Sequence, residues 1–166
     1  AVEAARRNRA VLAWFNTAAT LIAPSEHLRG KAIANGLGEV ELVRHGLSGS
    51  WFEASQPTDK REGFVSIGTV AWHKGTDRVV DAYRTVFPDE SEPLKIHGPI
   101  LDAEAALGHP VNPVLSPEGV RGLLRQSRAL IMGSRWAENA PLILLEARAA
   151  GCPVIAPAVG GIPELI

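Results

Sequence analysis

The chain has 166 residues, 46% of them apolar and 21% charged, with a formal net charge of −1. That length supports one ordinary hydrophobic core, and the composition is globular rather than disordered. The near-neutral balance argues against nucleic acid as a partner, because binding a phosphate backbone needs a basic excess.

The charge is unevenly spread. Six basic residues (Arg6, Arg7, Arg9, Arg29, Lys31, Arg44) stand against four acids (Glu3, Glu26, Glu39, Glu41) in residues 1–46, and the remainder is net acidic. The first pattern in the chain sets Arg6, Arg7 and Arg9 before the apolar positions Val11, Leu12, Phe15 and Ala19, a basic amphipathic helix. Such a helix either packs on its own domain or lies on an acidic membrane surface. "TLIAPS" (20–25) predicts a strand, with Ser25 capping a helix over "EHLRGKAIANG" that Gly36 stops. "EVELV" (39–43) predicts a second strand. The polar, turn-rich segment 46–62 reads as a linker, dividing the chain into residues 1–46 and a main domain over 47–166.

Beyond it, "GFVSIG" (63–68) predicts a strand and "TDRVVDAYRTVF" (76–87) a helix. Its apolar face carries Val79, Val80, Tyr83, Val86 and Phe87, with Asp77, Arg78, Asp81 and Arg84 opposite. "PLKIHG" (93–98) and "ALIM" (129–132) predict strands. Between them "SPEGVRGLL" (116–124) predicts a helix with Ser at the cap and Pro in the first turn. "PLILLEARAA" (141–150) predicts a helix, "PVIAP" (153–157) a strand, and "GGIPEL" (160–165) the start of another helix. Strands alternate with helices over connections too long for hairpins. This implies an α/β, Rossmann-like parallel sheet with helices on both faces. Ligands then sit outside the carboxyl ends of the strands, where Gly68, Gly98, Ser134, Gly160 and Gly161 gather.

Two glutamates, Glu138 and Glu146, flank the start of the 141–150 helix. A carboxylate among Leu, Ile and Ala costs several kcal/mol unless something satisfies it. Free N–H groups at a helix start favour an anion such as diphosphate, while carboxylates accept hydrogen bonds from vicinal hydroxyls. Together they outline a nucleotide sugar. The competing explanation is a capping glutamate plus a structural ion pair to Arg148 or Arg128.

"LIAPSEHLRGKAIANGL" (21–37), "FVSIGTVAWHKGTDRVVDAY" (64–83), "LKIHGP" (94–99) and "SRWAENAPLILLEARAAGCPVIAPAVGGIPELI" (134–166) together resemble the retaining glycosyltransferases of family 4, the glycosyl transferases group 1. The resemblance implies one half of a GT-B enzyme and a nucleoside-diphosphate sugar as donor. Glu138 would hold the donor sugar and Glu146 the ribose, and the backbone of Asn139, Ala140, Pro141 and Leu142 would line sugar and diphosphate. Lys74 would neutralise the leaving group. Gly68, Gly98 and Pro99 would border the nucleotide, with "VNPVL" (111–115) near the base.

The sequence departs from the family at Thr69, where an arginine usually follows the glycine. His73 or Arg135 could replace that cation. Trp136 reads as packing or cleft wall. Residues 1–46 resemble the last αβα unit of the acceptor-side domain with the hinge. The chain begins on Ala and stops at Ile166, so the expectation is a donor-binding piece that does not turn over alone. A scaffold that kept the fold and lost turnover is the second reading, and an epimerase of related architecture the third.

The family implies no cofactor and no bound metal. "DESE" (89–92) reads as a solvated turn, and the five histidines have no zinc spacing. The single cysteine, Cys152, excludes a disulfide framework and reads as a buried small hydrophobe. No apolar run reaches the roughly 20 residues of a membrane span. The expected compartment is the cytoplasm, including the inner membrane face. The acceptor expected is a glycan, lipid or small molecule.

Overall fold

The computed structural model describes residues 2–52 and 60–166. The predicted linker therefore falls partly outside the described residues. The chain forms two compact units, Ala1–His45 and Gly46–Ile166.

The first unit holds α1 (Val2–Phe15), β1 (Ile22–Ala23), α2 (Glu26–Ala34) and β2 (Glu41–Leu42). The two strands pair in parallel, Ile22 opposite Glu41. Ser25 caps α2 as expected, its hydroxyl accepting from the Leu28 N–H at 3.2 Å. Asn16, just past α1, ties the helix end to the turn after α2. Its amide donates to the Gly36 carbonyl and accepts from the Gly38 N–H. On α1, Val11, Trp14 and Phe15 remain exposed.

The second unit carries β3 (Phe64–Ile67), α3 (Thr76–Val86), β4 (Leu94–His97), β5 (Val111–Asn112), α4 (Pro117–Gln126), β6 (Ala129–Ile131), α5 (Leu142–Ala149) and β7 (Val154–Ile155). Its strands form one parallel sheet in the order β5-β4-β3-β6-β7. The period-2 alternation of the strands feeds two cores. Val65 and Leu130 point to a cluster with Leu124, Leu144, Ala147 and Ile162, while Phe64 and Ile131 pack against Val70, Val79, Val80, Tyr83 and Ile96. Each fully buried Leu or Ile contributes about 2 kcal/mol to the fold. The order runs outward on both sides of β3, so the strand sequence reverses between β3 and β6. Crevices form at such switch points in open α/β sheets.

Four expectations change. Trp51, in the predicted linker, lies in a 3-10 turn (Gly49–Phe52), and its ring is buried in the α4–α5 core. Polar neighbours hid one anchoring aromatic. β5 was not predicted because it has two residues between Pro110 and Pro113, and its pairing with Ile96 and His97 is non-local. On α3, Asp77 is buried and Val86 exposed, the reverse of the amphipathic assignment. "GGIPEL" makes a 3-10 turn (Ile162–Glu164) rather than the opening of an α-helix. Cys152 is buried as expected.

Candidate functional site

The carboxyl ends of β3, β4 and β6 border a cleft of about 330 Å³, lined by Gly68, Thr69, Lys74, Glu138, Pro141 and Glu146 with Ser66, Thr76, Met132, Gly133, Ser134 and Ile143 among the rest. Backbone packing fixes its floor. The Gly68 N–H donates to the His97 carbonyl and the Val70 N–H to that of Pro99, carrying the β3–β4 pairing past both strand ends. This approach needs glycine: a Cβ on Gly98 (φ 150°) would stand 1.9 Å from the Gly68 carbonyl oxygen. A second glycine contact closes the other side, where a Cβ on Gly75 would stand 1.9 Å from the oxygen of Gly133. Gly75 is left-handed and ends the 3-10 turn Trp72–Lys74, which presents Lys74 to the cleft.

Lys74 and Glu138 meet there. The ammonium donates to Glu138 Oε1 at 2.7 Å, and the buried Ser134 hydroxyl donates to the same oxygen at 3.0 Å. Neither Arg148 nor Arg128 holds Glu138; Arg128 pairs with Glu92 at 2.9 Å instead. The Glu138 backbone is pinned as well. Its carbonyl accepts from the Gly161 N–H at 2.6 Å, and its N–H donates to the Trp136 carbonyl. The glycines after β7 thus position the loop that carries the glutamate.

α5 opens opposite. Pro141 is its N-cap (ψ 118°) rather than a first-turn residue, and it has no side-chain acceptor to offer. First-turn N–H groups lack helical partners, so those of Leu142 and Ile143 remain available to an anion. The cap with nothing to accept leaves this helix end open. Glu146 follows about one turn later on the cleft wall. Its only pKa influence is burial, which raises its carboxyl above the ordinary value. Among the described residues no hydrogen bond or ion pair reaches that carboxylate.

Of the sequence-derived residues, Lys74, Glu138, Glu146, Pro141, Gly68 and Thr69 line this cleft. Gly98 backs it through Gly68. His73, Asn139, Ala140, Leu142 and Pro99 do not line it. His73 is exposed and meets the Trp136 ring edge-on at 6.0 Å. Arg135 is not free to replace the missing cation. Its guanidinium grips Asp77 through two hydrogen bonds (2.6 and 2.5 Å), donates to the Trp72 carbonyl and stacks on the Trp72 ring. That grip explains the buried Asp77, whose carboxyl the Arg135 hydrogen bonds hold below the usual range. Trp136 is 61% exposed, so it is not core packing.

Ser134, which sequence reading placed on the edge without a partner, is the side chain that shares Glu138 Oε1 with Lys74. The S-x-x-x-E spacing was its only signal. The acidic turn is solvent-exposed over Asp89–Ser91, as expected, with Asp89 accepting from the Ser91 N–H, whereas Glu92 is half-buried and accepts from the Gly63 N–H.

The family profile described as glycosyl transferases group 1 matches residues 48–166. The chain belongs to that family. No curated protein matches it. Three solved structures share the fold of this group 1 glycosyltransferase chain. HepE from Anabaena, solved with UDP and glucose, is 17% identical at a TM-score of 0.76, over 96% of this chain and 50% of that one. Sucrose-phosphate synthase from Thermosynechococcus elongatus is 21% identical at 0.75, over 96% and 45%. A TarM variant from S. aureus, solved with UDP and alpha-GlcNAc-glycerol, is 13% identical at 0.76, over 96% and 34%. This chain thus spans half or less of each. The parallel sheet flanked by helices is the Rossmann-like architecture of GT-B glycosyltransferases.

Proposed function

We propose that this group 1 chain is the donor-binding half of a retaining, family 4 hexosyltransferase and binds a nucleoside-diphosphate sugar in the β3–β6 cleft. The observation that carries the reading is the convergence of Lys74, Glu138, Glu146 and the uncapped start of α5 on one cleft. The diphosphate would lie between the Lys74 ammonium and the N–H groups that open α5, of which Ile143 lines the cleft and Leu142 borders it. Fixed cations and oriented N–H dipoles stabilise the charge that grows on a departing diphosphate. Glu138 would orient the sugar through its hydroxyls, and Glu146, with no partner of its own, would accept from the ribose. The backbone at Asn139 and Ala140 would flank the sugar, while Gly98 and Pro99 would border the base. The reading needs no metal and no organic cofactor.

Front-face displacement, with the leaving diphosphate as base, gives retention of configuration. The acceptor would be a glycan, lipid or small molecule met by residues outside the cleft described here. We assign transfer to the whole enzyme and donor binding without turnover to this chain. Residues 1–46 would belong to the acceptor-side domain. The exposed Trp14 and Phe15 beside the basic residues of α1 fit peripheral contact with the inner face of a membrane, so the cytoplasm is the proposed compartment. Among the described residues no helix is long and apolar enough to cross a membrane.

A second reading, a binding domain without catalysis, is favoured by Thr69 and by the commitment of Arg135 to Asp77. Calorimetric titration with UDP, GDP, ADP and their sugar conjugates tests the donor site. We expect one base to bind and Lys74→Ala to weaken it by about tenfold, as loss of a charge-assisted contact does. A folded chain that binds none of them would contradict both readings. In the whole enzyme, turnover separates them, and the anomeric configuration of the product, read by NMR, tests retention.

A further inference from the structure

Among the described residues Lys74 is the sole cation lining the cleft, and Glu138 already neutralises it at 2.7 Å. The glutamate side chain is only 12% exposed, the lysine 36%. A half-buried carboxylate stripped of its counter-ion is costly unless another donor replaces the ammonium. Ser134 supplies one donor to Oε1 and cannot replace the charge. Arg135, the next cation in sequence to Glu138, is held by Asp77.

Resting on the donor reading above, we infer that the Glu138–Lys74 pair makes the cleft discriminate between a nucleotide that carries a sugar and one that does not. A diphosphate entering alone competes with Glu138 for the Lys74 ammonium and, as it draws the ammonium away, leaves that carboxylate only the Ser134 hydroxyl. A donor with its sugar attached brings hydroxyls that donate to Glu138 as the ammonium turns to the phosphates. Both halves of the pair are then satisfied by one ligand. Once the sugar is gone the pair re-forms and the bare diphosphate is released. Glu138 therefore has a second role besides orienting the sugar: it lowers the affinity of the product.

The inference predicts a gain of affinity from a substitution in the binding machinery. In Glu138→Gln the amide oxygen can still accept from Ser134, and Lys74 is released. Calorimetry should show the nucleoside diphosphate binding about tenfold tighter than in the wild-type chain, with no gain for its sugar conjugate. Glu138→Asp, shorter by one methylene, should shift the ratio in the same direction, which guards against a special effect of the amide. Lys74→Ala should abolish the gain when combined with Glu138→Gln. Inorganic pyrophosphate, titrated in parallel, separates the two claims. If pyrophosphate tightens in Glu138→Gln while no nucleotide binds at all, Glu138 does restrain Lys74, but the donor reading fails and the discrimination built on it fails with it. If a nucleotide binds the wild-type chain and neither Glu138 variant, folded by thermal melting, binds its diphosphate tighter, the discrimination is refuted and the donor reading stands.

Discussion

Glu146 sits half-buried on the cleft wall without a partner for its carboxylate, a placement unfavourable for the fold that the proposed donor site would use. Burial raises its carboxyl pKa, and no donor offsets that burial. A raised folded-state pKa on a carboxyl means that the ionised form is penalised above that pKa. Glu146→Gln should therefore stabilise the ligand-free chain modestly near neutral pH, because it removes the unpaired charge while keeping the shape, seen as a higher melting midpoint. The same change should weaken nucleotide binding, because the neutral amide accepts ribose hydroxyls less strongly than a carboxylate. In the wild-type chain, affinity should fall as pH drops through the raised pKa, earlier than an ordinary carboxylate would give. A melting midpoint unchanged or lowered would place an unseen donor on Glu146.

Arg135 and Asp77 carry the opposite lesson. Depression of the Asp77 pKa stabilises the fold, and that stability is present above the unfolded carboxyl value and lost as pH falls through the folded one. Removing the guanidinium leaves the buried Asp77 carboxylate without its counter-ion, so Arg135→Ala should lower stability near neutral pH. The deficit should shrink below roughly pH 4, where Asp77 takes a proton even in the wild-type unfolded chain. Denaturant titrations at pH 7 and pH 3 measure the difference. Sequence spacing put Asp77 on the solvent side of its helix because periodicity carries no information about a partner 58 residues away.

At the scale of elements, the site depends on where helices and strands stop. β3 and β4 are followed by Gly68 and Gly98, whose backbones touch. Gly98→Ala would force a Cβ into a carbonyl at a left-handed position, and we expect about 3 kcal/mol of destabilisation together with loss of the cleft floor, measurable by melting and titration. α5 begins at a proline that cannot cap it with a side chain. Long helices with clear caps, such as α2 and α4, were legible from Ser25, Ser116 and Pro117 alone. β5 was not, since two residues between prolines become a strand only through pairing to β4. The 3-10 turn at Ile162–Glu164 and the burial of Trp51 were equally invisible, because both are decided by packing against the α4–α5 core.

Across the whole molecule, the parallel order β5-β4-β3-β6-β7 follows from the alternation of strands and helices, while the switch point between β3 and β6 follows from the order of pairing. The sequence motif named Lys74, Glu138 and Glu146, and the switch point brings the loops that carry the first two and the α5 helix that carries the third to one cleft. What the motif did not give was their present pairing. The spacing of 64 residues between Lys74 and Glu138 is silent on whether they touch. Nor could it show that Arg135 turns away from the cleft.

The account stands or falls on where a nucleotide sugar lies. The most direct measurement is an amide-resolved NMR titration of this chain with the nucleotide sugar that calorimetry selects. The account predicts that the largest shifts fall on Gly68, Thr69, Lys74, Leu142 and Ile143. Shifts centred instead on another face of the sheet, with these amides unmoved at saturation, would contradict it.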